Sequence, residues 1–378
     1  MKKIVIDARG YSTSTGRYTR KLIEYLEELE ANQTEREYTI LLFPDEFEKY
    51  HPTNPRFSKK VADFKHYSLS EQIGFLIFLN KLNADLVHFT MPQQPIFYRG
   101  KTVTTIHDLT LLKSFPGNRN LLAYKAKQMV GRFVFRRIGK KSSAIITPTK
   151  FTKTDYTTFL SKTGFIPVAR INPVDKIQVT YESADVVTSK PTPYPALIDK
   201  DFIMYVGQQS NYKNLRRLMQ SHQQLLKERP GLKLVLVGKL GEYGEQSKKW
   251  AEQQNFKNIV FTGFLESDAQ LAWLYKNTLA YVFPSLMEGF GLPALEAMAH
   301  GAPVVSSNAT CIPEVCGNAA HYFDPEDVSD ITRAISEVLE DKKLREDLIK
   351  KGTQQVKKYS WKRMAEQTLD IYTKSLKN

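Results

Sequence analysis

Two carboxylates and two glycines lie close together in one short stretch of the chain, residues 283–317. Glu288 and Glu296 have seven residues between them, and Gly289 and Gly291 follow the first carboxylate. Carboxylates accept hydrogen bonds from hydroxyl groups, and glycines let a backbone pass close to a ligand. The pattern therefore indicates binding of a ligand that carries several hydroxyls. The alternative is that both glutamates lie on a solvated helix surface, where they favour the helix N-terminus.

The elements around these residues favour a binding site. The apolar segment 279–285 predicts a buried strand, and residues 292–301 predict a helix that stops at Gly301. Glu288 then lies in the turn between strand and helix, and Glu296 lies within the helix. The first N–H groups of a helix have no partner inside it and bind anions. A ligand with phosphate and several hydroxyls, such as a nucleotide sugar, fits this arrangement.

The sequence of this stretch resembles a known signature. EGFGLPALEAMAHGAPVVSSN (288–308), followed by IPEVCGNAA (312–320), is similar to the donor site of retaining GT-B glycosyltransferases of family 4, once called group 1. The resemblance covers nearly the whole chain. It implies the GT-B fold, with two doubly wound Rossmann-like domains that face each other across a cleft. It also implies that a nucleoside diphosphate sugar is the donor substrate.

The resemblance assigns roles to residues of the second half of the chain. Lys213, in the turn QQSNYKN, matches the lysine that contacts the donor diphosphate. A positive charge that family members carry nearby is missing, since Tyr212 and Gln208 stand where arginine is common; Arg216 or Arg217 would substitute, or lie on a solvated helix surface. Glu296 would bind the ribose hydroxyls, and Glu288 would lie near the transferred sugar and serve catalysis. The remaining donor-binding residues are Gly289, Phe290, Gly291 and Leu292 at the diphosphate and sugar, and Gly263 and Leu265 at the base.

The first half of the chain supplies a further set of residues by the same resemblance. Gly16, in the loop TGRY, is expected to contact the phosphates through its backbone. His107, which ends the strand TTIH, is expected to contact the transferring sugar and to serve catalysis. Asp108 and His88 are placed on the acceptor side. For His88 the alternative is a core histidine with satisfied hydrogen bonds.

Strands and helices alternate along the whole chain, which predicts α/β domains with parallel sheets. The predicted strands of the first half are KKIVIDA, YTILLFP, ADLVHFT, KTVTTIHD, SSAIITPT and KIQVTYE, and those of the second half are FIMYVG, KLVLVG, NIVFTG, LAYVFPS and APVVSS. Residues 1–187 are predicted as an acceptor-side domain and 201–360 as the donor domain, with a proline-containing linker at 188–200. The last helix, 361–378, is expected to pack back on the first domain.

Composition narrows the possible classes of protein. The chain has 378 residues, 42% of them hydrophobic, which fits two globular domains. Two cysteines, Cys311 and Cys316, do not make a disulfide framework or a zinc site. The start of the chain has no signal-peptide pattern, and no apolar run reaches the roughly 18 residues of a membrane span. These features predict a cytoplasmic protein.

The net charge of +14 is concentrated in the first half. Residues 1–190 hold 30 Lys and Arg against 18 Asp and Glu, and no acidic residue lies between Asp108 and Asp155. The basic and apolar residues of 113–153 are typical of a surface that contacts anionic lipid, so peripheral contact with the inner membrane face is one expectation. A solvated basic helix face is the alternative. Nucleic acid is not expected, because no binding motif accompanies the charge.

The motif Asp199–Lys200–Asp201 matches the metal motif of another glycosyltransferase fold, but it precedes a strand and is expected to cap it. No metal and no cofactor are therefore predicted. The expected reaction moves a hexosyl unit, mannose first, from a GDP or UDP sugar to a hydroxyl of a saccharide or lipid-linked glycan. Two alternatives share the fold: a nucleotide-sugar epimerase, and a non-catalytic carbohydrate-binding protein with a degenerate site.

Overall fold

The computed structural model describes residues 1–13, 16–113, 121–162, 176–187, 189–265 and 267–377. The chain divides into two compact units. The first unit holds Met1–Leu112, Leu122–Glu182 and Ser360–Asn378, and the second holds Lys113–Leu121 and Ser183–Tyr359. The sequence places the linker at 188–200, whereas the chain passes from one unit to the other between Glu182 and Ser183.

The first unit contains a parallel sheet. In the described residues it has seven strands in the order β3-β2-β1-β4-β5-β6-β7. The strands are β1 Lys2–Asp7, β2 Arg36–Leu42, β3 Phe57–Val61, β4 Leu86–Phe89, β5 Thr102–Thr105, β6 Ala144–Thr147 and β7 Ile177–Val179. Strands β4, β5 and β6 are buried along their whole length, as the apolar runs predict. Strand β3 was not predicted, because an edge strand with two lysines, FSKKV, has no apolar run.

Helices cover the first sheet. They are α1 Gly16–Leu29, α2 Leu76–Leu82, α3 Thr110–Lys113, α4 Leu121–Lys141 and α5 Lys150–Lys162, and a π-helical turn, Glu71–Phe75, leads into α2. Helix α4 shows how the core forms: Phe135 and Ile138 are buried against Ile106 and Tyr156. On the same helix Met129 and Phe133 are exposed. Helix α4 therefore has apolar residues on more than its core face.

The second unit contains a second parallel sheet. Its six strands in the described residues lie in the order β10-β9-β8-β11-β12-β13. They are β8 Phe202–Val206, β9 Lys233–Val237, β10 Ile259–Gly263, β11 Ala280–Phe283, β12 Val304–Ser307 and β13 Ala320–Phe323. The first five match predicted strands, and β13 was not predicted. The fold class therefore has the predicted form, with two Rossmann-like α/β units.

Helices of the second unit begin at side-chain caps in several places. They are α6 Leu215–Leu225, α7 Gly241–Gln253, α8 Asp268–Asn277, α9 Leu292–Ala299, α10 Ile312–Cys316, α11 Val328–Glu340 and α12 Lys342–Val356, with 3-10 turns at Pro195–Leu197, Asn211–Lys213 and Gly317–Ala319. Ser267 caps α8, Asp327 caps α11 and Asp341 caps α12 by accepting a backbone N–H.

The glycines that follow strands β8 and β9 are required by the packing of the backbone. Gly207 and Gly238 have φ values of +150° and +129°, in the region that side chains disfavour. A Cβ on Gly238 would lie 2.3 Å from the carbonyl oxygen of Gly207. The strand ends can approach this closely only because both residues are glycine.

The last helix, α13 Trp361–Lys377, belongs to the first unit. The Lys362 ammonium lies 2.6 Å from the carboxylate of Glu28 on α1. Tyr372 is fully buried, and its hydroxyl lies 2.5 Å from Nδ1 of His88 on β4. No helix in the described part of the chain is both long enough and apolar enough to cross a membrane.

Candidate functional site

In the second unit, the residues of interest lie where strand β11 turns into helix α9. The strand is fully buried, and the turn ends at Gly291, whose φ is +100°. Helix α9 then begins at Leu292 with a proline in its first turn. Proline is favoured there because its missing N–H would have no partner in the helix anyway. The N–H groups of this first turn lie at the carboxyl end of the sheet.

A lysine and a carboxylate from distant parts of the chain pair at this turn. Lys213 Nζ lies 2.5 Å from Glu288 Oε1, and each side chain is 11% exposed. Burial alone would lower the pKa of Lys213. The facing carboxylate of Glu288 outweighs burial and holds that pKa above its ordinary value. Lys213 is therefore a fixed positive charge, and the sequence predictions for Lys213 and Glu288 meet at one place.

The position of Lys213 is set by its neighbour Asn214. Asn214 has a left-handed backbone, with φ of +61°, directly after the 3-10 turn Asn211–Lys213. Its amide nitrogen donates to the carbonyls of Pro284 and Pro325, at 3.1 and 2.7 Å. Its amide oxygen accepts from Arg217 at 3.0 Å. Asn214 thereby joins the lysine turn to the loop after β11 and to the segment before α11.

The loop that carries Glu288 is held from the other side by residues 310 and 311. The N–H of Glu288 donates to the hydroxyl of Thr310 at 3.2 Å. The thiol of Cys311 donates to the carbonyl of Glu288 at 3.2 Å. Burial raises the pKa of Cys311 well above its ordinary value, so the sulfur keeps the proton that it donates. Both cysteines are buried as free thiols.

The other predicted donor residues surround this turn or lie further along the sheet. Glu296 is 9% exposed in α9, and Phe290 packs edge-on against Tyr359 at 5.6 Å. Gly289 and Leu292 are partly exposed beside them. Gly263 ends β10 and Leu265 follows it, and β10 is separated from β11 by β9 and β8. The structure thus brings Lys213, Glu288, Glu296 and 289–292 together and places the predicted base contacts two strands further away.

The predicted replacements for the missing arginine are engaged elsewhere. Arg216 lies against the rings of Tyr243 and Trp250, at 5.4 and 5.3 Å, and Arg217 bonds Asn214. A different polar residue was missed: Gln209 is 3% exposed, and neither of its amide atoms has a partner among the described residues. Its position, two residues after the glycine that follows β8, was the available signal.

In the first unit, His107 lies at the carboxyl end of β5 with both ring nitrogens engaged. Nε2 lies 3.0 Å from the carbonyl of Thr90, and Nδ1 lies 3.2 Å from the carboxylate of Glu182. Both partners are acceptors, an arrangement that favours a ring protonated at both nitrogens. Burial opposes the positive charge of such a ring, but Glu182 outweighs burial and raises the pKa of His107.

Glu182 was not predicted as a site residue. It is 5% exposed. It lies shortly after the end of β7, just as His107 lies shortly after the end of β5. Carboxyl ends of parallel strands meet at one edge, so an acidic residue at the end of the predicted strand KIQVTYE was a usable signal. The pairing itself depends on the strand order, which the sequence does not give.

The other predicted residues of this edge take structural hydrogen bonds. Asp108 accepts the N–H of Thr110 at 2.7 Å and starts α3. Gly16 is buried at the start of α1, and its N–H donates to the Thr13 carbonyl at 3.0 Å. A Cβ on Gly16 would lie 2.2 Å from the Tyr11 carbonyl oxygen, so glycine is required there. Thr15 of the same predicted loop lies outside the described residues.

The placement of His88 on an acceptor pocket needs correction. His88 has no exposed surface, and its ring nitrogens bond the hydroxyls of Tyr372 and Thr105. Burial lowers its pKa to about 3, so the ring stays neutral. His88 is a satisfied core histidine, the alternative that the sequence left open, because α13 covers β4 where the sequence suggested a pocket wall.

A cavity of about 680 Å³ lies against His107 and Asp108 and is lined entirely by residues of the first unit. Its floor includes Glu71, which bonds the fully buried guanidinium of Arg9 at 3.1 Å. Arg9 also pairs with Asp7 at 2.8 Å and stacks over Phe75. This ion network fixes the π-helical turn Glu71–Phe75 on one wall of the cavity.

Comparison with known proteins agrees with the geometry. Residues 193–355 match the family described as "Glycosyl transferases group 1". Over these residues the chain is similar to group 1 glycosyltransferases, in agreement with the resemblance seen in the sequence. The match falls on the unit that holds Lys213, Glu288 and Glu296.

Particular relatives include enzymes named for mannose transfer. The chain is 34% identical over 210 residues to O-antigen chain mannosyltransferase B of Escherichia coli, covering 53% of this chain and 55% of that protein. It is 35% identical over 182 residues to the serotype-specific mannosyltransferase WbdA of Escherichia coli, covering 47% of this chain and 22% of that protein. The match thus spans about half of the first relative and about a fifth of the second.

Solved structures share the fold over the whole chain. Sucrose-phosphate synthase from Thermosynechococcus elongatus superposes with a TM-score of 0.73 at 17% identity, covering 99% of both chains. Anabaena HepE, solved in complex with UDP and glucose, gives 0.71 at 15% identity, covering 99% of this chain and 100% of HepE. At these identities the likeness concerns the fold alone, and it confirms the predicted GT-B fold class.

Proposed function

We propose that this protein is a retaining, metal-independent glycosyltransferase of family 4. It would move a hexosyl unit from a nucleoside diphosphate sugar to a hydroxyl of a saccharide or lipid-linked glycan. The observation that carries the proposal is the buried pair of Lys213 and Glu288 beside the N-terminus of α9. A fixed cation beside the N-terminus of a helix suits a diphosphate.

The chemistry follows from where charge develops. When the bond from the sugar to the diphosphate breaks, negative charge grows on the leaving phosphate oxygen. Lys213 and the first turn of α9 would stabilise that charge without moving, which is the most effective form of electrostatic catalysis. Glu288 would hold Lys213 in place in the absence of substrate. When the donor binds, its phosphate would replace the carboxylate of Glu288 as the partner of Lys213. Attack by the acceptor from the same face, with the leaving oxygen taking its proton, would retain configuration.

The first unit would act on the acceptor side. His107 donates from both ring nitrogens to the protein, so it is unsuited to take the acceptor proton. Its role would be that of a positively charged contact for the transferring sugar, fixed by Glu182. Proton transfer to the leaving phosphate oxygen removes the need for a separate base.

Mannose is the first candidate sugar. Relatives that match the chain are named as mannosyltransferases, among them the MMP alpha-(1->4)-mannosyltransferase of Mycolicibacterium hassiacum, 36% identical over 168 residues. That match covers 43% of this chain and 40% of the relative. GDP-mannose is therefore the first donor to test and UDP sugars the second. Glu296 would bind the ribose hydroxyls, Gly263 and Leu265 would line the base, and Gly16 would reach the phosphates.

A cytoplasmic location with peripheral contact to an anionic membrane remains part of the proposal. Of the basic region 113–153, residues 114–120 lie outside the described part. In the rest, Lys125 and Arg132 are exposed on α4 together with Met129. Sedimentation with phosphatidylglycerol vesicles, compared with phosphatidylcholine vesicles, measures this contact. Binding that is equal for both lipids would remove the electrostatic argument.

The deciding experiment is nucleotide binding followed by product analysis. Thermal unfolding is recorded with GDP, UDP, ADP and dTDP for wild type, Glu296→Ala and the surface control Glu340→Ala. A ligand at 100 times its Kd stabilises the native state by about 2.7 kcal/mol. Stabilisation by one nucleotide that is lost only in Glu296→Ala supports the donor site.

Incubation with the matching nucleotide sugar and an acceptor, in the presence of EDTA, must then give glycosylated acceptor. A rearranged free nucleotide sugar would instead identify an epimerase, and no stabilisation by any nucleotide would contradict the proposal.

A further inference from the structure

The cavity beside His107 offers few polar groups to a ligand, although several polar residues line it. Gln72 donates to the Gln94 carbonyl at 3.1 Å and accepts the N–H of Ile96 at 3.1 Å. Glu71 is bonded by Arg9, by His66 and by the N–H of Tyr67. The amide of Gln93 donates to the Tyr67 hydroxyl. Apart from the amide oxygen of Gln93, which is buried without a partner among the described residues, these side chains are hydrogen-bonded to the protein itself. The cavity wall is therefore largely apolar.

Large apolar side chains surround the cavity and stay exposed. Val130 is 58% exposed and Phe133 is 49% exposed, and both line the cavity from α4. Leu69 is 79% exposed on the opposite wall. Leu111 and Val134 continue the apolar lining towards His107. Exposed apolar side chains that converge on one concavity of this size are typical of a ligand site.

The charge around the cavity selects among apolar ligands. Lys127 lines it and lies 4.5 Å above the ring of Tyr67. The carboxylates of Glu71, which is bonded to Arg9, and of Asp108 also line the cavity. A ligand with a hydrocarbon chain attached to an uncharged polar head therefore fits better than a purely polar saccharide. The His107 end would take the head, and the Val130 and Phe133 end would take the chain.

We propose that this cavity binds the hydrocarbon chain, acyl or prenyl, of an acceptor whose sugar end lies at His107. The inference rests on the proposed function, because it names the class of acceptor for that same site. It predicts that the acceptor is an amphiphilic glycoside, and that the chain contributes affinity in proportion to the methylenes that it buries. Each fully buried methylene strengthens binding about fourfold.

The test measures binding, so that it does not depend on turnover. Calorimetric titration with methyl, butyl and octyl α-mannosides, each below its micelle concentration, gives the dependence of Kd on chain length. We expect the octyl compound to bind at least tenfold more tightly than the butyl compound. Equal Kd values for the butyl and octyl compounds would overturn the inference.

Matched variants on one helix locate the chain. Phe133→Ser and Val130→Ser remove cavity side chains that are half exposed, so the fold should tolerate both. Met129→Ser removes a neighbour that is 69% exposed but does not line the cavity. The chain-length effect should fall in the first two variants and stay in the third. Equal loss in all three, or in none, would overturn the assignment to this cavity.

Two further arms separate the possible failures. Stabilisation by GDP or UDP, measured on the same samples, reports the donor site. Chain-length dependence without nucleotide binding would contradict the proposed function and leave the hydrocarbon site supported. Nucleotide binding without chain-length dependence would support the donor site and overturn the hydrocarbon site. Loss of vesicle binding in Phe133→Ser, with alkyl affinity independent of length, would assign this wall to a bilayer surface and overturn the inference.

Discussion

Each unit holds a buried pair of a basic site residue and a carboxylate at the carboxyl ends of its parallel strands. The second unit pairs Lys213 with Glu288 at 2.5 Å, and the first pairs His107 with Glu182 at 3.2 Å. Lysine is positive at any physiological pH, so its pair is permanent. Histidine has an ordinary pKa near 6.5, so its charge depends on the carboxylate beside it. The pair of a basic residue and a carboxylate is therefore insensitive to pH in the second unit and sensitive to pH in the first.

The two pairs also differ in how their surroundings leave the cation available to a ligand. Lys213 and Glu288 lie in the two loops that lead into α6 and α9, so we expect a phosphate to replace the carboxylate as the partner of the lysine. His107 is held by two acceptors of the protein, so a ligand meets a ring whose nitrogens are already bonded. We infer that the first arrangement suits exchange of partners during binding, whereas the second suits a fixed contact.

The largest expected effect is that of Lys213→Gln. Removal of a preorganised cation from a developing negative charge lowers kcat by about 10²–10³. The substitution also leaves the carboxylate of Glu288 buried without its cation, so stability should fall as well. Steady-state kinetics with GDP-mannose and urea unfolding measure the two effects. The control is Lys342→Gln, whose lysine is 80% exposed in the same unit; equal kcat in the two variants would contradict the assigned role.

The second effect is a change of pH profile in Glu182→Gln. The variant removes the carboxylate that raises the pKa of His107. Loss of this charged hydrogen bond should lower kcat/KM about tenfold. The stability that the pair contributes is fully present below the ordinary pKa, near 6.5, and is lost as pH rises through the raised pKa. In Glu182→Gln that loss should move to lower pH. Glu37→Gln, at a partly exposed position, is the control, and identical pH profiles for Glu182→Gln and wild type would refute a charged His107.

The smallest effect concerns the core histidines, one in each unit. Burial lowers the pKa of His88 to about 3 and that of His222 to about 4. Below pH 6.5 the unfolded chain binds a proton at each site and the folded unit does not, so stability falls as pH falls. The slope is up to about 1.4 kcal/mol per pH unit for each histidine.

Urea unfolding at several pH values between 6.5 and 4.5, resolved by hydrogen exchange, measures that slope in each unit. His222→Gln should flatten the slope in the second unit only, and His51→Gln, at an exposed position, should change neither. A slope that survives in His222→Gln would assign the acid sensitivity of that unit to other groups.

Most of the second unit could be predicted from the sequence because its signals are local. Apolar runs that end in glycine mark β8, β9 and β10, and the strand-to-helix turn around Glu288 has both elements in one continuous stretch. The missed strands have no such run: β3 is a lysine-containing edge strand, and β13 has four residues, only two of them buried. The π-helical turn Glu71–Phe75 follows from the ion network with Arg9, a contact 62 residues distant in sequence.

The residues of the candidate site also divide into those with local sequence signals and those that depend on distant contacts. Glu288, Glu296 and 289–292 share one segment, so their type and spacing were sufficient to place them together. The burial of Gln209 and His88 and the pairing of Glu182 with His107 depend on which strands are neighbours and on where α13 lies. The site roles of Lys213, His107 and the other residues stay predictions until the experiments above are done.

The sequence by itself determined the α/β alternation, the resemblance of the second half to group 1 glycosyltransferases and the continuous turn around Glu288, since periodicity and motif are local properties. Only the tertiary structure decided that Lys213 meets Glu288 across 75 residues, that Glu182 charges His107, and that His88 lies beneath α13. The physical reason is that charge, burial and hydrogen-bond satisfaction depend on neighbours in space. Strand order and helix packing set those neighbours, and neither is written in any single segment of the chain.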